Sequence, residues 1–203
     1  MTPVIAHRGT EATTAVHVTR VSTWLGMLHV ASFAEGVCAL VFDARAQSLE
    51  PRLRRAFGPF FRIEAGDPLR VAPRLARYFG GDLRALDDVP LAAPSTPMQW
   101  RVWRMVRAIA PGESTTYAAL AERLGMPRAQ RAVGVCLASN PVPLLVPCHR
   151  VVAASGSLGS HPGGVPVKAA LLRHEGVRLA APRRTRTHAP LDDTVELVAM
   201  PLG

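Results

Sequence analysis

The sequence predicts an α/β protein in which a small sheet-containing region precedes a mostly helical region. Residues 25–43, LGMLHVASFAEGVCALVFD, contain two β-branched and apolar runs around a turn at Gly36, the pattern of a β-hairpin. Residues 114–140 contain two short segments of helical periodicity joined by a tight turn, which is typical of a helix-turn-helix. With 203 residues, 48% of them apolar, the chain is long enough for one large domain or two small ones.

Two helices are predicted after the hairpin. The segments LEPRLRRAF (49–57) and DPLRVAPRLARYFGG (67–81) carry apolar residues at helical spacing. Asp67 is placed to cap the second helix, and a glycine pair is placed to end it. Residues 82–94 contain two prolines and are predicted to be an exposed connection. We therefore expect a first, supporting domain over residues 1–92.

The second predicted domain spans residues 93–178. It starts with STPMQWRVWRMVRAI (95–109), a Ser/Thr cap followed by proline and one apolar stripe, which predicts a helix. The segments STTYAALAERLG (114–125) and RAQRAVGVCLASN (128–140) then predict the two helices of the helix-turn-helix. Residues 179–203 are rich in arginine and proline with little periodicity, and they are predicted to form a flexible tail.

The charge balance favours a polyanionic partner. Twenty-four basic residues against 15 acidic ones give a net charge of +9, and every basic residue except Lys168 is arginine. Such a balance is typical of nucleic-acid-binding proteins. A genome rich in arginine and alanine codons would produce the same balance, so composition alone leaves both explanations open.

The cysteines and the apolar runs indicate where the protein works. Cys38, Cys136 and Cys148 are odd in number, widely spaced and free of a CxxC pattern, which predicts neither a disulfide framework nor a zinc site. No apolar run approaches the roughly 20 residues that span a bilayer, and the amino terminus lacks the apolar core of a signal peptide. We expect a cytoplasmic protein without membrane association.

The segment NPVPLLVPCHRVV (140–152) is the strongest candidate for a chemical site. Its apolar residues Val142 and 144–146 are predicted to be buried, so that Cys148 and His149 are presented at the edge of a core with the thiol displayed. From these residues alone the cysteine fits a nucleophile, a metal ligand or a small core residue. A nucleophile would need help, because a cysteine with a pKa of about 8.5 is mostly protonated at neutral pH.

Residues 114–159 and the segment GGVPVKAALLRHEG (163–176) resemble the O6-alkylguanine-DNA alkyltransferases, which move an alkyl group from a guanine oxygen onto their own cysteine. The resemblance covers residues 93–178, with PCHRV as its most specific motif, and the hairpin is compatible with the family's first domain. It implies a ribonuclease-H-like first domain and a winged-helix-like second domain. It also implies a monomer that uses no cofactor, needs no obligate protein partner, and acts on double-stranded DNA.

By this resemblance, the alkyl group is transferred irreversibly to Cys148 in a single turnover. His149 takes the thiol proton through a water, and Glu175 orients the imidazole from its far side. Asn140 resembles the hinge residue that ties the second helix of the helix-turn-helix to the reactive loop. Cys38 alternates with apolar neighbours in a predicted strand, as a small buried residue does, and Cys136 lies in the second helix without a neighbouring base, so neither is expected to be the acceptor.

The same resemblance assigns residues to the DNA and the base. Arg131 would enter the base stack and occupy the space of the flipped nucleotide, which costs a few kcal/mol to rotate out. Tyr117 would crowd the target phosphate and contact the base, and Val151 would offer its backbone carbonyl to the guanine amine. Val135 and Ala138 stand where small or basic residues are usual in the family, so fewer phosphate contacts are expected.

The sequence departs from the family pattern in SLGSHPGG (157–164). His161 stands where the family has an aromatic residue, most often tyrosine, and Pro162 stands where a backbone N–H donates to O6 of the leaving guanine. Proline has no amide hydrogen. Either the His161 ring or the Gly163 amide would have to compensate, and loss of the donor would slow transfer by around 100-fold or more.

Other functions fit parts of the sequence. A non-catalytic or weakly catalytic protein that binds alkylated DNA and recruits repair factors would share the motifs, and Pro162 leaves room for it. A dimeric transcription regulator would use the helix-turn-helix, and a cysteine hydrolase would use the Cys and His pair. No metal is expected, because Cys38, His17 and His29 form no recognisable ligand set.

Overall fold

The structure is a computed structural model that describes residues 14–59 and 61–179. The predicted tail, apart from residue 179, lies outside the described residues. The chain forms two compact units: the first holds the residues up to 100 together with the loop 140–146, and the second holds residues 101–139 and those from 147 onward. The mixed α/β class predicted from the sequence is confirmed, with strands concentrated in the first unit and helices in the second.

A four-stranded sheet forms the basis of the first unit. The strands lie in the order β3, β2, β1, β4, and neighbours are antiparallel except for β1 and β4, which are parallel. The predicted hairpin is confirmed as β2 and β3. The sequence interpretation had not included the two other strands. In chain order the strands are β1 (Thr14–Thr23), β2 (Gly26–Ser32), β3 (Val37–Phe42) and β4 (Phe61–Ala65).

Two helices of the first unit confirm the predicted ones. A short 3-10 helix (Asp43–Ser48) leads into α1 (Leu49–Phe57), and α2 covers Val71–Phe79. The carboxylate of Asp67 accepts hydrogen bonds from the first two backbone amides of α2 at 2.7 and 2.8 Å, so it caps the helix as predicted. Leu53 of α1 is buried in the same apolar cluster as Val16 of β1.

The prediction that residues 82–94 form an exposed connection is wrong. Val89 and Leu91 are buried, with 1% and 5% of their surface exposed. Val37 donates its amide to the carbonyl of Pro90 and accepts from the amide of Ala92, both at 2.9 Å, so this segment extends the edge of β3. A proline is tolerated at a sheet edge when only its carbonyl takes part in the pairing.

The second unit contains the predicted pair of short helices. Helix α3 (Pro97–Arg107) begins in the first unit and continues into the second, followed by β5 (Thr115–Thr116), α4 (Tyr117–Arg123) and α5 (Gln130–Ala138). Helices α4 and α5 pack on each other, and the indole N–H of Trp103 holds α3 to the carbonyl of Cys136 at 2.9 Å.

A short pair of strands places the start of α4 beside the candidate site. The strand β6 (Val151–Val152) lies three residues after Cys148 and pairs in parallel with β5, with Thr115 opposite Val151. Thr116 then caps α4 by accepting a hydrogen bond from the amide of Ala119 at 3.1 Å. Helix α6 (Val165–His174) follows and carries the chain to Glu175.

Candidate active site

The loop that precedes the cysteine is closed by one buried amide. Asn140 donates from Nδ2 to the carbonyl of Val146 at 2.9 Å and accepts at Oδ1 from the amide of Val142 at 3.0 Å. The carbonyl of Pro141 accepts from the amide of Leu40 in β3 at 2.8 Å. Both ends of this loop are therefore fixed by hydrogen bonds within the first unit.

Cys148 lies in a 3-10 turn, Cys148–Arg150, and the whole turn is buried. The exposed fraction is 5% for Cys148, 0% for His149 and 4% for Arg150. The expectation of a displayed thiol is therefore wrong. The burial of the preceding apolar run continues through the turn because the polar groups of His149 and Arg150 find a partner inside the protein.

That partner is the carboxylate of Glu175, which receives donors from both residues. His149 Nε2 lies 2.9 Å from Oε1 of Glu175, and Arg150 donates from Nη2 to Oε1 and from Nε to Oε2, both at 2.8 Å. Arg150 also donates from Nη1 to the carbonyl of Ile109 at 2.5 Å. The structure thus brings together the two residues that the sequence paired, and it adds Arg150 between them.

The surroundings shift the pKa values of this group of residues. Burial would raise the pKa of Glu175, but hydrogen bonds from His149 and Arg150 outweigh it and lower the pKa from 4.5 to about 2. Burial lowers the pKa of His149 below its ordinary value, while the hydrogen bond and charge of Glu175 oppose the shift. The carboxylate is therefore ionised and the imidazole neutral at pH 7.

The neutral imidazole has one defined tautomer. Its Nε2 faces an ionised carboxylate, so Nε2 carries the proton and Nδ1 keeps the lone pair. Nδ1 is buried and makes no hydrogen bond with any described residue. His149 can therefore accept a proton at Nδ1 while Glu175 stabilises the resulting charge at Nε2.

A buried lysine adds a positive charge near the thiol. Lys168 of α6 has no exposed surface and donates from Nζ to the carbonyl of Val151 at 2.6 Å. Burial lowers the pKa of Lys168 from 10.5 to about 8, and the negative charge of a Cys148 thiolate opposes this shift. The sequence interpretation missed Lys168, although its position as the only lysine in a chain rich in arginine was a usable signal.

Tyr117 lies half-buried between two glycines. A Cβ placed on Gly159 would come within 3.4 Å of the Tyr117 hydroxyl, and one on Gly134 within 3.9 Å of its ring. Burial raises the pKa of Tyr117, and the charge of a Cys148 thiolate raises it further. The phenol therefore stays protonated and can act as a hydrogen-bond donor.

The loop 157–164, whose sequence differs from the family pattern, has hydrogen bonds of its own. His161 is buried, and its Nδ1 accepts from the amide of Gly163 at 3.1 Å, while its carbonyl accepts from the amide of Gly164 at 2.9 Å. A neutral His161 with Nδ1 as acceptor carries its proton on Nε2. Its ring lies edge-on to that of His149, with 6.3 Å between the ring centroids.

Helix α5 presents a mainly apolar outer surface with one charge. Arg131, Ala132 and Ala138 are exposed, and Val135 exposes 69% of its surface. The other two cysteines are unsuited to attack. Burial raises the pKa of Cys136, and it raises that of Cys38 to about 12, so both thiols remain protonated.

Two further properties concern the described residues only. No group of three or more His, Cys, Asp or Glu side chains among them is arranged to hold a metal ion. None of the helices within residues 14–59 and 61–179 is long and apolar enough to cross a membrane.

The second unit combines a thiol beside a His and Glu pair with two packed short helices. These features define a class of proteins that have a candidate cysteine nucleophile and a helical surface for a partner. Comparison with known proteins identifies the family within this class. The family model described as 6-O-methylguanine DNA methyltransferase, DNA binding domain, matches residues 97–177. The chain belongs to the family of the methylated-DNA–protein-cysteine methyltransferases.

Relatives and solved structures agree with this assignment. The methylated-DNA–protein-cysteine methyltransferase of Shigella flexneri is 45% identical over 118 residues, which cover 58% of this chain and 69% of the relative. That of Haemophilus influenzae is 30% identical and covers 81% of this chain and 88% of the relative. The crystal structure of Mycobacterium tuberculosis O6-methylguanine methyltransferase superposes with a TM-score of 0.67 at 33% identity, covering 79% of this chain and 92% of the other. A structure of Mycobacterium tuberculosis OGT in complex with DNA gives a TM-score of 0.66 at 31% identity, with the same coverage.

Proposed function

We propose that this protein repairs duplex DNA by rotating an O6-alkylguanine out of the helix and transferring its alkyl group to Cys148. The observation that carries the proposal is the buried contact of 2.9 Å between His149 and Glu175, directly beside Cys148. The relatives are named as methyltransferases that use methylated DNA and a protein cysteine, and one structural neighbour is described as a complex with DNA.

The transfer follows from the geometry of the turn. Nδ1 of His149 accepts the thiol proton through a water, and the thiolate attacks the alkyl carbon in an SN2 step. The S–C bond forms as the C–O6 bond breaks, and the electron pair of that bond leaves with the guanine oxygen. Water does not displace the Cys148 thiolate from the alkyl carbon of the resulting thioether, so each molecule acts once.

Glu175 keeps the imidazole in the tautomer that this step needs. Its carboxylate accepts the Nε2 proton of His149 and stabilises the imidazolium that forms during thiol deprotonation. Lys168, with its ammonium 2.6 Å from the carbonyl of Val151, places a positive charge where the thiolate develops. The carbonyl of Val151 has a second lone pair, which we assign to the guanine amine.

Helix α5 and Tyr117 would act on the DNA. Arg131 is exposed on α5 and would occupy the space of the rotated nucleotide, at a cost of a few kcal/mol for unstacking. The small residues of the same surface allow close approach to a minor groove, where damage is detected with little dependence on sequence. Tyr117 would contact the target phosphate and base. Asn140 would hold the loop that joins α5 to Cys148.

His161 would replace the missing backbone donor at position 162. The Gly163 amide already donates to Nδ1 of His161, which favours the ring over the Gly163 amide as the compensating donor. With the proton on Nε2, the ring would donate to O6 as negative charge develops there.

Finer features of the fold belong to the same proposal. We assign a ribonuclease-H-like arrangement to residues 1–92 and a winged-helix-like arrangement to residues 93–178, with 179–203 as the tail. The family model, which matches residues 97–177, supports the middle range. We propose that the protein acts as a monomer in the cytoplasm, without a cofactor or an obligate protein partner.

Mass spectrometry of the intact protein and its peptides tests the function. After incubation with a duplex containing one O6-methylguanine, the Cys148 peptide should gain the mass of one methylene group. Cys136→Ser should behave like the unchanged protein, whereas Cys148→Ser should gain nothing. Tight binding of the damaged duplex with an unmodified Cys148 would instead support the non-catalytic alternative, in which the protein recruits repair factors.

A further inference from the structure

Arg150 is the last residue of the turn that holds Cys148, and all three of its guanidinium nitrogens donate hydrogen bonds, yet the proposed transfer step leaves it without a role. We propose that Arg150 is a positioning residue that holds Glu175 in one ionised orientation and thereby sets the tautomer of His149 and the pH range in which it accepts a proton. This inference rests on the proposed alkyl transfer.

The guanidinium of Arg150 donates two parallel hydrogen bonds to the carboxylate of Glu175. Nε faces Oε2 and Nη2 faces Oε1, both at 2.8 Å, which is the bidentate geometry that fixes a carboxylate plane. The third nitrogen, Nη1, donates to the carbonyl of Ile109 just beyond α3. Because Glu175 follows directly after α6, Arg150 joins the ends of two helices around the His149 ring.

One oxygen of the carboxylate faces both donors. Oε1 accepts from Nη2 of Arg150 at 2.8 Å and lies 2.9 Å from Nε2 of His149. A buried carboxylate that faced an imidazole alone would favour protonation of that imidazole as its counter-charge, because an isolated charge is costly in the interior. The permanent charge of Arg150 supplies the counter-charge instead, so Glu175 stays ionised while His149 is neutral. An ionised Glu175 accepts only, so the imidazole must present Nε2–H and keep Nδ1 as the base.

Arg150 also limits how strongly Glu175 holds a proton on His149. The charged groups that face the imidazole are Glu175, which favours its protonated form, and Arg150 and Lys168, which oppose it. The His161 ring lies edge-on at 6.3 Å, and Cys148 is adjacent in sequence. A Glu175 without its guanidinium would make His149 a stronger base that is already protonated near neutral pH and unable to accept the thiol proton.

The pH dependence of a single turnover tests this assignment. In Arg150→Met the acid limb of the rate profile should move at least one pH unit upward, which lowers the rate on that limb about tenfold. Arg150→Lys keeps the positive charge but loses the bidentate contact with Glu175. The acid limb of its rate profile should therefore stay at the same pH, while the maximal rate falls. Arg101→Met is the control. Arg101 also donates to a backbone carbonyl of the second unit, and this hydrogen bond involves no carboxylate.

A residue that is only structural would give another result. Arg150→Met would then unfold at lower denaturant concentration while the folded fraction kept the unchanged pH profile, and that outcome would overturn the proposal. Should this variant fail to fold, nitrogen-15 NMR of the unchanged protein decides. His149 should show a protonated Nε2 and an unprotonated Nδ1 at pH 7, and the opposite tautomer contradicts the assignment.

The NMR measurement also separates this inference from the proposed function. If the unchanged protein binds alkylated DNA without modifying Cys148, the alkyl transfer is wrong. The tautomer of His149 and its pKa in Arg150→Lys would still report on the positioning by Arg150.

Discussion

Ionisation of Glu175 makes the unfolding free energy of the protein depend on pH. Its pKa in the folded protein is about 2, against an ordinary value of 4.5. Because the folded pKa is lowered, the ionised carboxylate contributes its full stability above pH 4.5, and that contribution is lost as the pH falls toward 2. Acid unfolding of this protein should therefore involve protonation of Glu175.

We predict that Glu175→Gln destabilises the protein by about 3 kcal/mol or more at pH 7, because it leaves the buried guanidinium without its counter-charge. The difference in unfolding free energy between the two proteins should shrink between pH 4.5 and pH 2. Urea unfolding at several pH values measures it. A constant difference over this range would show that Glu175 is not ionised in the folded protein.

The pair His161 and Pro162 provides a second test at residue scale. Replacing His161 by phenylalanine keeps a ring but removes the donor, so the single-turnover rate should fall by about 100-fold or more. Pro162→Ser restores a backbone N–H at the position that the family uses. The double variant should therefore recover much of the lost rate, measured as methylated Cys148 against time.

The single variants at positions 161 and 162 serve as the controls for the double variant. Pro162→Ser alone should leave the rate equal or faster, since it adds a donor without removing one. A His161→Phe protein that reacts as fast as the unchanged one would show that the ring does not donate to the leaving group.

Some of these residue contacts could be predicted and others could not. The contact of His149 with Glu175 spans 26 residues, and only the resemblance of PCHRV and HEG to a family paired them. Arg150 was not assigned because one arginine among many carries no signal of burial. The thiol was expected to be displayed at the edge of a core because Glu175, the partner that allows His149 and Arg150 to be buried, lies far along the chain.

Asn140 fixes the loop between α5 and the turn that holds Cys148. Its amide closes the loop 140–146 with one donated and one accepted hydrogen bond, and it exposes only 2% of its surface. A buried polar atom that loses its partner costs about 1–3 kcal/mol. The carbonyl of Val146 and the amide of Val142 would both lose a partner if the side chain were shortened.

We predict that Asn140→Ala lowers the unfolding free energy by about 2 kcal/mol, as expected for two buried groups left unpaired. The transfer rate should also fall, because the loop leads directly into the turn that holds Cys148. Chemical unfolding and the single-turnover rate measure the two effects. Ser139→Ala, the neighbouring change on an exposed residue, provides the control and should alter both by much less.

The elements themselves were predictable where their signals are local. The hairpin of β2 and β3, the cap of α2 by Asp67, and the helices α4 and α5 follow from spacing, caps and turns. Strand β4 (Phe61–Ala65) was missed because it is short and largely exposed, so its residues show no buried alternation. Residues 82–94 were expected to be exposed because their burial comes from pairing with Val37, which no local sequence pattern predicts.

The net charge of +9 dominates the expected behaviour of the whole molecule toward DNA. Each phosphate neutralised by an arginine releases condensed counterions, so the binding constant should fall steeply with salt, with a slope of about −0.9 per contact. Helix α5 nevertheless has no basic residue in its last turn and exposes 69% of Val135. Part of the affinity should therefore be independent of salt.

Two substitutions on α5 separate these contributions. Arg131→Ala should weaken binding and, if the guanidinium contacts a phosphate, reduce the salt slope by about one. Val135→Ser should weaken binding severalfold with an unchanged slope, because it removes only apolar contact with the groove. Fluorescence anisotropy with a labelled duplex at increasing salt measures both, and Arg104→Ala, an exposed arginine on α3, serves as the control for general charge. A slope near zero for the unchanged protein would contradict the premise that phosphate neutralisation supplies most of the affinity.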